Sequence, residues 1–143
     1  MSYLKKGHMF HPRAAASKTS TVDLSAVAVA DVSHICVDSC EVSRIQVLVT
    51  VAPTVTAPVV TFRKRPTVGS ATGQSSLGTI TIPVGTAIGT VVYKDISPSQ
   101  FQPGDELLPD VTTAATVGSG IPSFVAHERP EYKANQTHLL ASA

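Results

Sequence analysis

The sequence has no tryptophan and few charges, and aromatic residues make up only 5% of it. Charged residues make up 15% of the chain, whereas globular proteins average roughly 25%. Little of the surface is therefore specialised for solvation. The net charge of +1 gives no general attraction to nucleic acid or to an anionic membrane, so we expect neither as a partner.

The two cysteines, Cys36 and Cys40, are too few for the disulfide framework of a small secreted domain. The three residues between them permit a local bridge, but we expect two reduced, half-buried thiols. A zinc site built from His34, Cys36 and Cys40 would lack a fourth ligand and a second paired motif. We predict no metal site and no cofactor.

The sequence also shows no pattern typical of a targeting segment or a membrane-spanning helix. No apolar stretch follows the basic residues near the N-terminus, so we expect no signal peptide. No run reaches the roughly 18 apolar residues that a membrane-spanning helix needs. We expect synthesis in the cytoplasm and a protein that is soluble or bound to a particle.

The chain is rich in β-branched residues, because Val and Thr are far more frequent than Leu. Branching at Cβ suits a pleated sheet better than a helix. Ten prolines and nine glycines, scattered singly, are typical of turns between short strands. The 143 residues have room for one core. The composition predicts an all-β protein, a jelly roll or β-sandwich of about seven or eight short strands.

The clearest strand pattern lies at 44–51, where Ile45, Val47, Val49 and Val51 share one face. Further strands are predicted at 22–37, 59–63, 77–82, 87–93, 111–116 and 121–126. Pro103-Gly104 predicts a type II turn with glycine at positive φ, and 118–120 predicts another turn. Residues 1–21 and 128–143 are expected to be extended arms on either side of a sandwich of residues 22–127.

No pattern of catalytic residues accompanies these strands. The chain has no Gly-x-Ser-x-Gly nucleophile elbow, no phosphate-binding loop, and no His-x-His pair of the cupin metalloenzymes. We interpret the adjacent acids Asp105 and Glu106 as a solvated turn rather than a catalytic pair. We therefore predict no catalytic residues and a protein that is not an enzyme.

The densest positive charge is the triplet Arg63-Lys64-Arg65. One interpretation is a solvated strand end that blunts the edge of a sheet. The other is a contact with an acidic surface of a partner protein. Without interleaved aromatic residues, the triplet does not favour nucleic acid.

Several segments together resemble a known group of viral proteins, over about residues 40–130. They are Arg44–Val51, Val60–Gly69, Gly78–Pro83, Gly89–Asp95 and Pro103–Leu107. They resemble small proteins encoded beside the major capsid protein of tailed bacteriophages, among them jelly-roll cement, or decoration, proteins. The resemblance implies a structural protein on the capsid exterior of the virion, where it clamps neighbouring capsid subunits, and it transfers no catalytic residue.

Under this resemblance the partners are the major capsid protein and further copies of the chain, as a homodimer by default or as a trimer. Arms that order on the capsid must gain contact area to offset their lost entropy. Aromatic residues would anchor the interface and basic residues would pair with acids of the shell. The expected interface residues are Tyr3, Lys5, Lys6, Phe10, Arg13, Arg63, Lys64, Arg65, Arg129 and Tyr132.

Two other classes remain open. A tail or baseplate subunit makes nearly the same demands on a sequence, and its copy number per particle would be far lower than that of a shell protein. A glycan-binding module shares the sandwich, but such sites usually present aromatic platforms, which this chain has few residues to build.

Overall fold

A computed structural model describes residues 13–14, 21–28, 34–36, 39–66 and 74–128. This part of the chain contains nine β-strands and no helix. In chain order the strands are β1 (Arg13–Ala14), β2 (Val22–Asp23), β3 (His34–Ile35), β4 (Cys40–Thr54), β5 (Val59–Arg65), β6 (Ser75–Thr81), β7 (Val91–Phe101), β8 (Glu106–Thr113) and β9 (Val117–Glu128). Among the described residues, no helix has the length and apolarity needed to cross a membrane.

The strands form two antiparallel sheets, so the predicted all-β sandwich is confirmed. Sheet A has the order β1-β9-β4-β7, and β2 also pairs with β9. Sheet B has the order β3-β8-β5-β6. Because β1 and β2 pair with successive parts of β9, each sheet is four strands wide. The chain crosses from one sheet to the other at each step from β2 to β5 and again at each step from β6 to β9.

The N-terminal segment covers one side of the sandwich and passes from sheet A to sheet B. Leu24 donates its backbone N–H to the Gly118 carbonyl oxygen next to β2. Ala28 then exchanges two backbone hydrogen bonds with Val111 of β8. Farther on, the Cys36 N–H binds the Asp105 carbonyl oxygen. On the opposite side, β7 and β6 are the outermost strands of the described sheets.

The core lies between the sheets and is built from residues at alternating strand positions. Ile45, Val47 and Val49 of β4 are fully buried in one cluster with Val60 and Phe62 of β5. Full burial of such a side chain contributes roughly 1.5–3 kcal/mol, so packing of β4 against β5 is a main source of stability.

The alternation predicted for 44–51 is confirmed up to Val49 and fails at Val51, whose side chain is 42% exposed. The pairing of β4 with β9 shifts register between Val49 and Val51. Such a bulge adds one residue to a strand and reverses the face of those that follow. The prediction that Val51 faces the core was therefore wrong.

Several predicted boundaries were also wrong. The strand predicted at 22–37 is divided into β2 at 22–23 and β3 at 34–35, and the described residues 24–28 belong to neither strand. Residues 87–90 precede β7 instead of beginning it, and 118–120 lie inside β9 instead of forming a turn. The strand predicted at 111–116 is β8, which starts at Glu106 and is buried as far as Val111. Gly120 serves close packing, since a Cβ there would lie 2.5 Å from Val47 Cγ1.

The predicted turn at Pro103-Gly104 is confirmed. Gly104 has a φ of 93°, and the Asp105 N–H donates to the Gln102 carbonyl oxygen at 3.0 Å. Positive φ at the third residue of the turn is favoured by glycine, which explains the residue at this position.

Candidate docking surface

The acidic and basic side chains of β5 and β8 lie at one end of the sandwich. β5 ends at Arg65 and β8 begins at Glu106, and these two residues are directly opposite each other. In sheet A the same end holds the start of β4, because Cys40 pairs with Phe101 and Glu128. We refer to this as the charged end.

The basic triplet has carboxylate partners on β8 and on the turn before it. β5 lies between β8 and β6, so the interpretation of the triplet as a solvated edge was wrong. Asp105 and Glu106 are buried, so the interpretation of these acids as a solvated turn was also wrong. The three ion pairs are Arg63 Nε to Asp110 Oδ2 at 2.5 Å, Lys64 Nζ to Asp105 Oδ2 at 3.5 Å, and an Arg65 Nη atom to Glu106 Oε2 at 2.6 Å.

These contacts explain why charge gathers at this end. Carboxylates of the same chain neutralise the triplet, and Asp105 Oδ2 also accepts the Gln102 N–H at 2.8 Å. An acidic partner surface is not needed to compensate the positive charge. The charged end is thus a structural network between two strands.

The residues considered for zinc, His34, Cys36 and Cys40, are all buried. The His34 ring meets Phe124 edge-on at 5.6 Å, and its Nε2 lies 3.3 Å from the Pro122 carbonyl oxygen. These contacts join sheet B to sheet A, a packing role. Within the described ranges no group of three or more His, Cys, Asp or Glu side chains is arranged to hold a metal ion.

The opposite end of the sandwich is nearly free of ionisable side chains. The sequence segments 45–62, 66–93 and 111–126 contain no Asp, Glu, Lys, Arg or His. They supply the loops 55–58, 82–90 and 114–116, which join strands at this end. Among the described residues, Asp23 is the charged residue at this end, where its backbone pairs with Ser119. We refer to this as the uncharged end.

Aliphatic side chains point into solvent from the uncharged end. Val55 is 78% exposed and Ile88 is 70% exposed, and Val84 and Val117 are exposed as well. We refer to these four residues as the aliphatic tip. Single exposed apolar residues are ordinary on protein surfaces, but a group of them without charges is typical of an interaction site. Depletion of charge also marks the buried centre of protein interfaces.

Backbone hydrogen bonds fix the loops of the aliphatic tip to the end of β4. Gly85 donates to the Pro53 carbonyl oxygen at 2.9 Å, and Thr116 donates to that of Thr54 at 3.1 Å. Gly89 donates to the Val49 carbonyl oxygen at 2.8 Å. Loops ordered before binding lose little entropy when a partner docks, so this surface is preorganised.

Val55 adopts an unusual backbone conformation within the aliphatic tip. Its φ is 67°, and it is the non-glycine residue with positive φ among those described. For a β-branched residue this region is a genuine outlier. Backbone strain of this kind is concentrated at functional sites, where surrounding structure holds it in place. The Thr56 N–H, bonded to the Thr54 carbonyl oxygen at 2.8 Å, helps to hold the turn.

The outer face of sheet A continues from the aliphatic tip. Val91 and Ile121 lie on either side of Leu48, one strand away in each direction. Farther along, the Arg44 guanidinium stacks on the Tyr93 ring at 4.1 Å. Tyrosine and arginine are enriched at interface hot spots.

Asp95 orients the Arg44 side chain on this face. Asp95 Oδ1 accepts a hydrogen bond from Arg44 Nε at 2.7 Å. That bond raises the pKa of the guanidinium above its ordinary value. An arginine side chain is charged in proteins in any case. The stack on Tyr93 therefore presents a fixed cationic group beside the apolar row.

Most of the interface residues expected from the sequence lie outside the described residues, and these are Tyr3, Lys5, Lys6, Phe10, Arg129 and Tyr132. The Arg13 backbone lies in β1, opposite Ala126. The sequence analysis missed the aliphatic tip and the outer face of sheet A. The three charge-free segments could have indicated them, because such long intervals without an ionisable residue stand out in the printed sequence.

No family model, curated protein sequence or solved structure matches the chain. The function is therefore inferred from the surfaces and the core described above.

Proposed function

We propose that the protein is a structural virion subunit that docks its uncharged end on the outside of a phage capsid and holds neighbouring major capsid subunits together. The observation that carries the proposal is the aliphatic tip, a preorganised set of exposed apolar side chains on a rigid β-sandwich. The resemblance of residues 40–130 to phage cement proteins selects the capsid as the partner. The strand order is compatible with the jelly roll of those proteins.

The size of the aliphatic tip fits a docking role. The four side chains are between 47% and 78% exposed, so burying what remains accessible of them supplies on the order of 5 kcal/mol. The cost of immobilising the partners must be subtracted, and ordered loops keep that cost low. Contact with two capsid subunits at once, or docking as a small homo-oligomer, raises the avidity further without new kinds of contact.

The chemistry of the partner surface follows from the lack of charge. An apolar pocket or groove, without unpaired charged groups, would complement the aliphatic tip. Binding through this end should change little when salt rises from low to physiological concentration, because screening acts on charges. Binding carried by Lys5, Lys6 and Arg13 of the expected arm would instead weaken steeply with salt.

The test is cosedimentation of the purified protein with empty phage shells assembled without it, followed by thermal challenge of the shells. We expect saturable binding at roughly stoichiometric occupancy and shells that survive to higher temperature. Ile88→Lys should abolish binding, because it places a charge in the apolar contact. The matched control is Ile35→Lys, an aliphatic residue 49% exposed at the charged end, which should bind as the wild type does.

The outcomes separate the alternatives. Equal loss of binding in both lysine variants would contradict docking through the uncharged end. Wild-type protein that binds no shell at any salt concentration would overturn the cement function, and a low copy number in intact particles would then indicate a tail or baseplate subunit. Deleting residues 1–20 measures the contribution of the N-terminal arm in the same assay.

A further inference from the structure

Two buried thiols at the charged end take no part in the proposed docking. Cys36 and Cys40 both carry thiols, and both side chains are buried in the core cluster. The Cys40 thiol donates a hydrogen bond to Cys36 Sγ, and the two sulfur atoms are 3.9 Å apart. They are thus in van der Waals contact without a bond between them.

The position of the pair makes a bond structurally meaningful. Cys36 is anchored to sheet B, since its N–H binds the Asp105 carbonyl oxygen at 2.9 Å. Cys40 is the first residue of β4 and pairs with Phe101 in sheet A. A bond between the sulfur atoms would join the two sheets where the chain crosses between them.

The geometry requires only a small movement. A disulfide has a sulfur–sulfur length of about 2.05 Å, so the two atoms must approach by about 1.9 Å. Rotation of two side chains about their Cα–Cβ bonds moves sulfur atoms by such distances, because each sulfur is one bond from Cβ. Ser39, the described residue between the two cysteines, is not helical.

We propose that Cys36 and Cys40 are a modification site that forms an intrachain disulfide with a small-molecule disulfide as the oxidant. One cysteine thiolate attacks a sulfur of the oxidant, forms a mixed disulfide and releases one small thiol. The second cysteine then attacks the protein sulfur of that mixed disulfide and releases the other small thiol. The protein loses two protons and two electrons, and the oxidant becomes two thiols.

The surroundings of the two thiols affect the rate of their oxidation. The hydrogen bond from Cys40, together with burial, raises the pKa of Cys36 above its ordinary value. The reactive thiolate is therefore scarce, and oxidation is slow in a reducing compartment. Oxidation speeds up as pH rises, because more of the thiol is ionised. Whether the pair is oxidised at equilibrium depends on the ratio of disulfide to thiol in its surroundings, and a disulfide-rich surrounding favours the bond.

The experiment uses the full chain in glutathione buffers that range from reduced to oxidised. Fully reduced protein and previously oxidised protein are equilibrated separately until both give the same result, which removes slow kinetics as an explanation. The samples are then acid-quenched, unfolded and alkylated, and their masses are measured. In oxidised buffer we expect monomeric protein that has lost two hydrogen atoms and takes up no alkylating agent. The oxidised protein should melt at a temperature only a few degrees higher. Closing so short a loop removes little entropy from the unfolded chain.

The single variants Cys36→Ser and Cys40→Ser are the controls. Each should accumulate a mixed disulfide with one glutathione and should not lose two hydrogen atoms. The proposal is overturned if wild-type protein at equilibrium in oxidised buffer keeps two alkylatable thiols, carries two glutathiones, or forms bonds only between chains. Shell binding is measured separately, so failure of this proposal and failure of the docking proposal are distinguishable.

Discussion

Arg65 and Glu106 form an ion pair of 2.6 Å between directly opposed positions of β5 and β8, and only 3% of the Glu106 side chain is exposed. Arg65→Met leaves this buried carboxylate without its cation. Removal of one partner of a buried ion pair lowers the free energy of unfolding by roughly 3–5 kcal/mol. We expect a loss near the lower value, because Arg65 is partly exposed. Chemical denaturation measures the change.

Two further variants test the cause of this loss. Arg65→Met combined with Glu106→Leu removes both charges and should recover most of the stability. Arg44→Met removes the cation from the exposed pair with Asp95 and should leave the unfolding midpoint nearly unchanged. A double variant as unstable as the single one would show that lost packing, rather than the isolated charge, causes the effect.

Val55→Asn should make the protein more stable and bind shells less well. Asparagine tolerates the left-handed backbone region that strains valine, so we expect a gain of about 1 kcal/mol and a melting temperature higher by about 4 °C. The same change removes an apolar contact from the aliphatic tip. Val84→Asn is the control, since Val84 has no positive φ and should lose binding without a gain in stability. Unchanged stability in Val55→Asn would show that the turn is not strained.

Gly120→Ala should destabilise the sandwich by roughly 1–3 kcal/mol, because the added methyl group meets Val47 and the Leu48 carbonyl oxygen. The cost should shrink when the same change is made in a Val47→Ala background, which removes the methyl group at 2.5 Å. Equal costs in the two backgrounds, measured by urea unfolding, would contradict a steric origin.

Asp23 should contribute to stability in a pH-dependent way. Its Oδ1 accepts hydrogen bonds from the Ser25 hydroxyl at 2.6 Å and the Ser25 N–H at 2.8 Å, and these bonds lower the pKa of the Asp23 carboxyl below 3.8. Because the folded-state pKa is the lower one, this contribution is present above the unfolded-state value and is lost as pH falls through the folded-state value.

Titration of the Asp23 carboxyl carbon by NMR checks this directly. We expect a midpoint below 3.8 in the wild type and a midpoint nearer the ordinary value in Ser25→Ala, which lacks the hydroxyl. A midpoint that does not move in Ser25→Ala would mean that the hydroxyl bond has no effect on the carboxyl.

The strand content of the protein could be predicted from the sequence because β-branched residues and alternation are local properties. Ile45, Val47 and Val49 show this, since their spacing alone placed them in the core. The exposure of Val51 could not be predicted in the same way. The exposure of Val51 depends on a bulge that forms only when β9 pairs with β4. Ser119, the residue that pairs with Val51, is far along the chain.

The difference between local patterns and long-range pairing also explains why the glycines of 118–120 and the basic triplet were wrongly interpreted. Gly118 to Gly120 has the composition of a turn, yet its glycines allow β9 to lie close against β4 and the N-terminal segment. Arg63-Lys64-Arg65 has the composition of a solvated or binding segment. Its carboxylate partners lie on β8 and on the turn before it. Arg65 and Glu106, for example, are 41 positions apart in the sequence, and no local pattern reveals such a pairing. The aliphatic tip was missed because it combines residues from two loops and the start of β9, which are far apart in the sequence.

The position of β4 has a consequence for synthesis. β4 lies between β7 and β9, so Ile45 meets its partner Phe124 only after nearly the whole domain has left the ribosome. Until then a Val- and Ile-rich strand has an open edge, which is a hazard for aggregation of the nascent chain. Sheets that pair distant segments also fold slowly, on a scale of milliseconds to seconds. We therefore expect yield in cells to improve at low temperature, which weakens hydrophobic association of the exposed strand, with no change in the stability of the folded product.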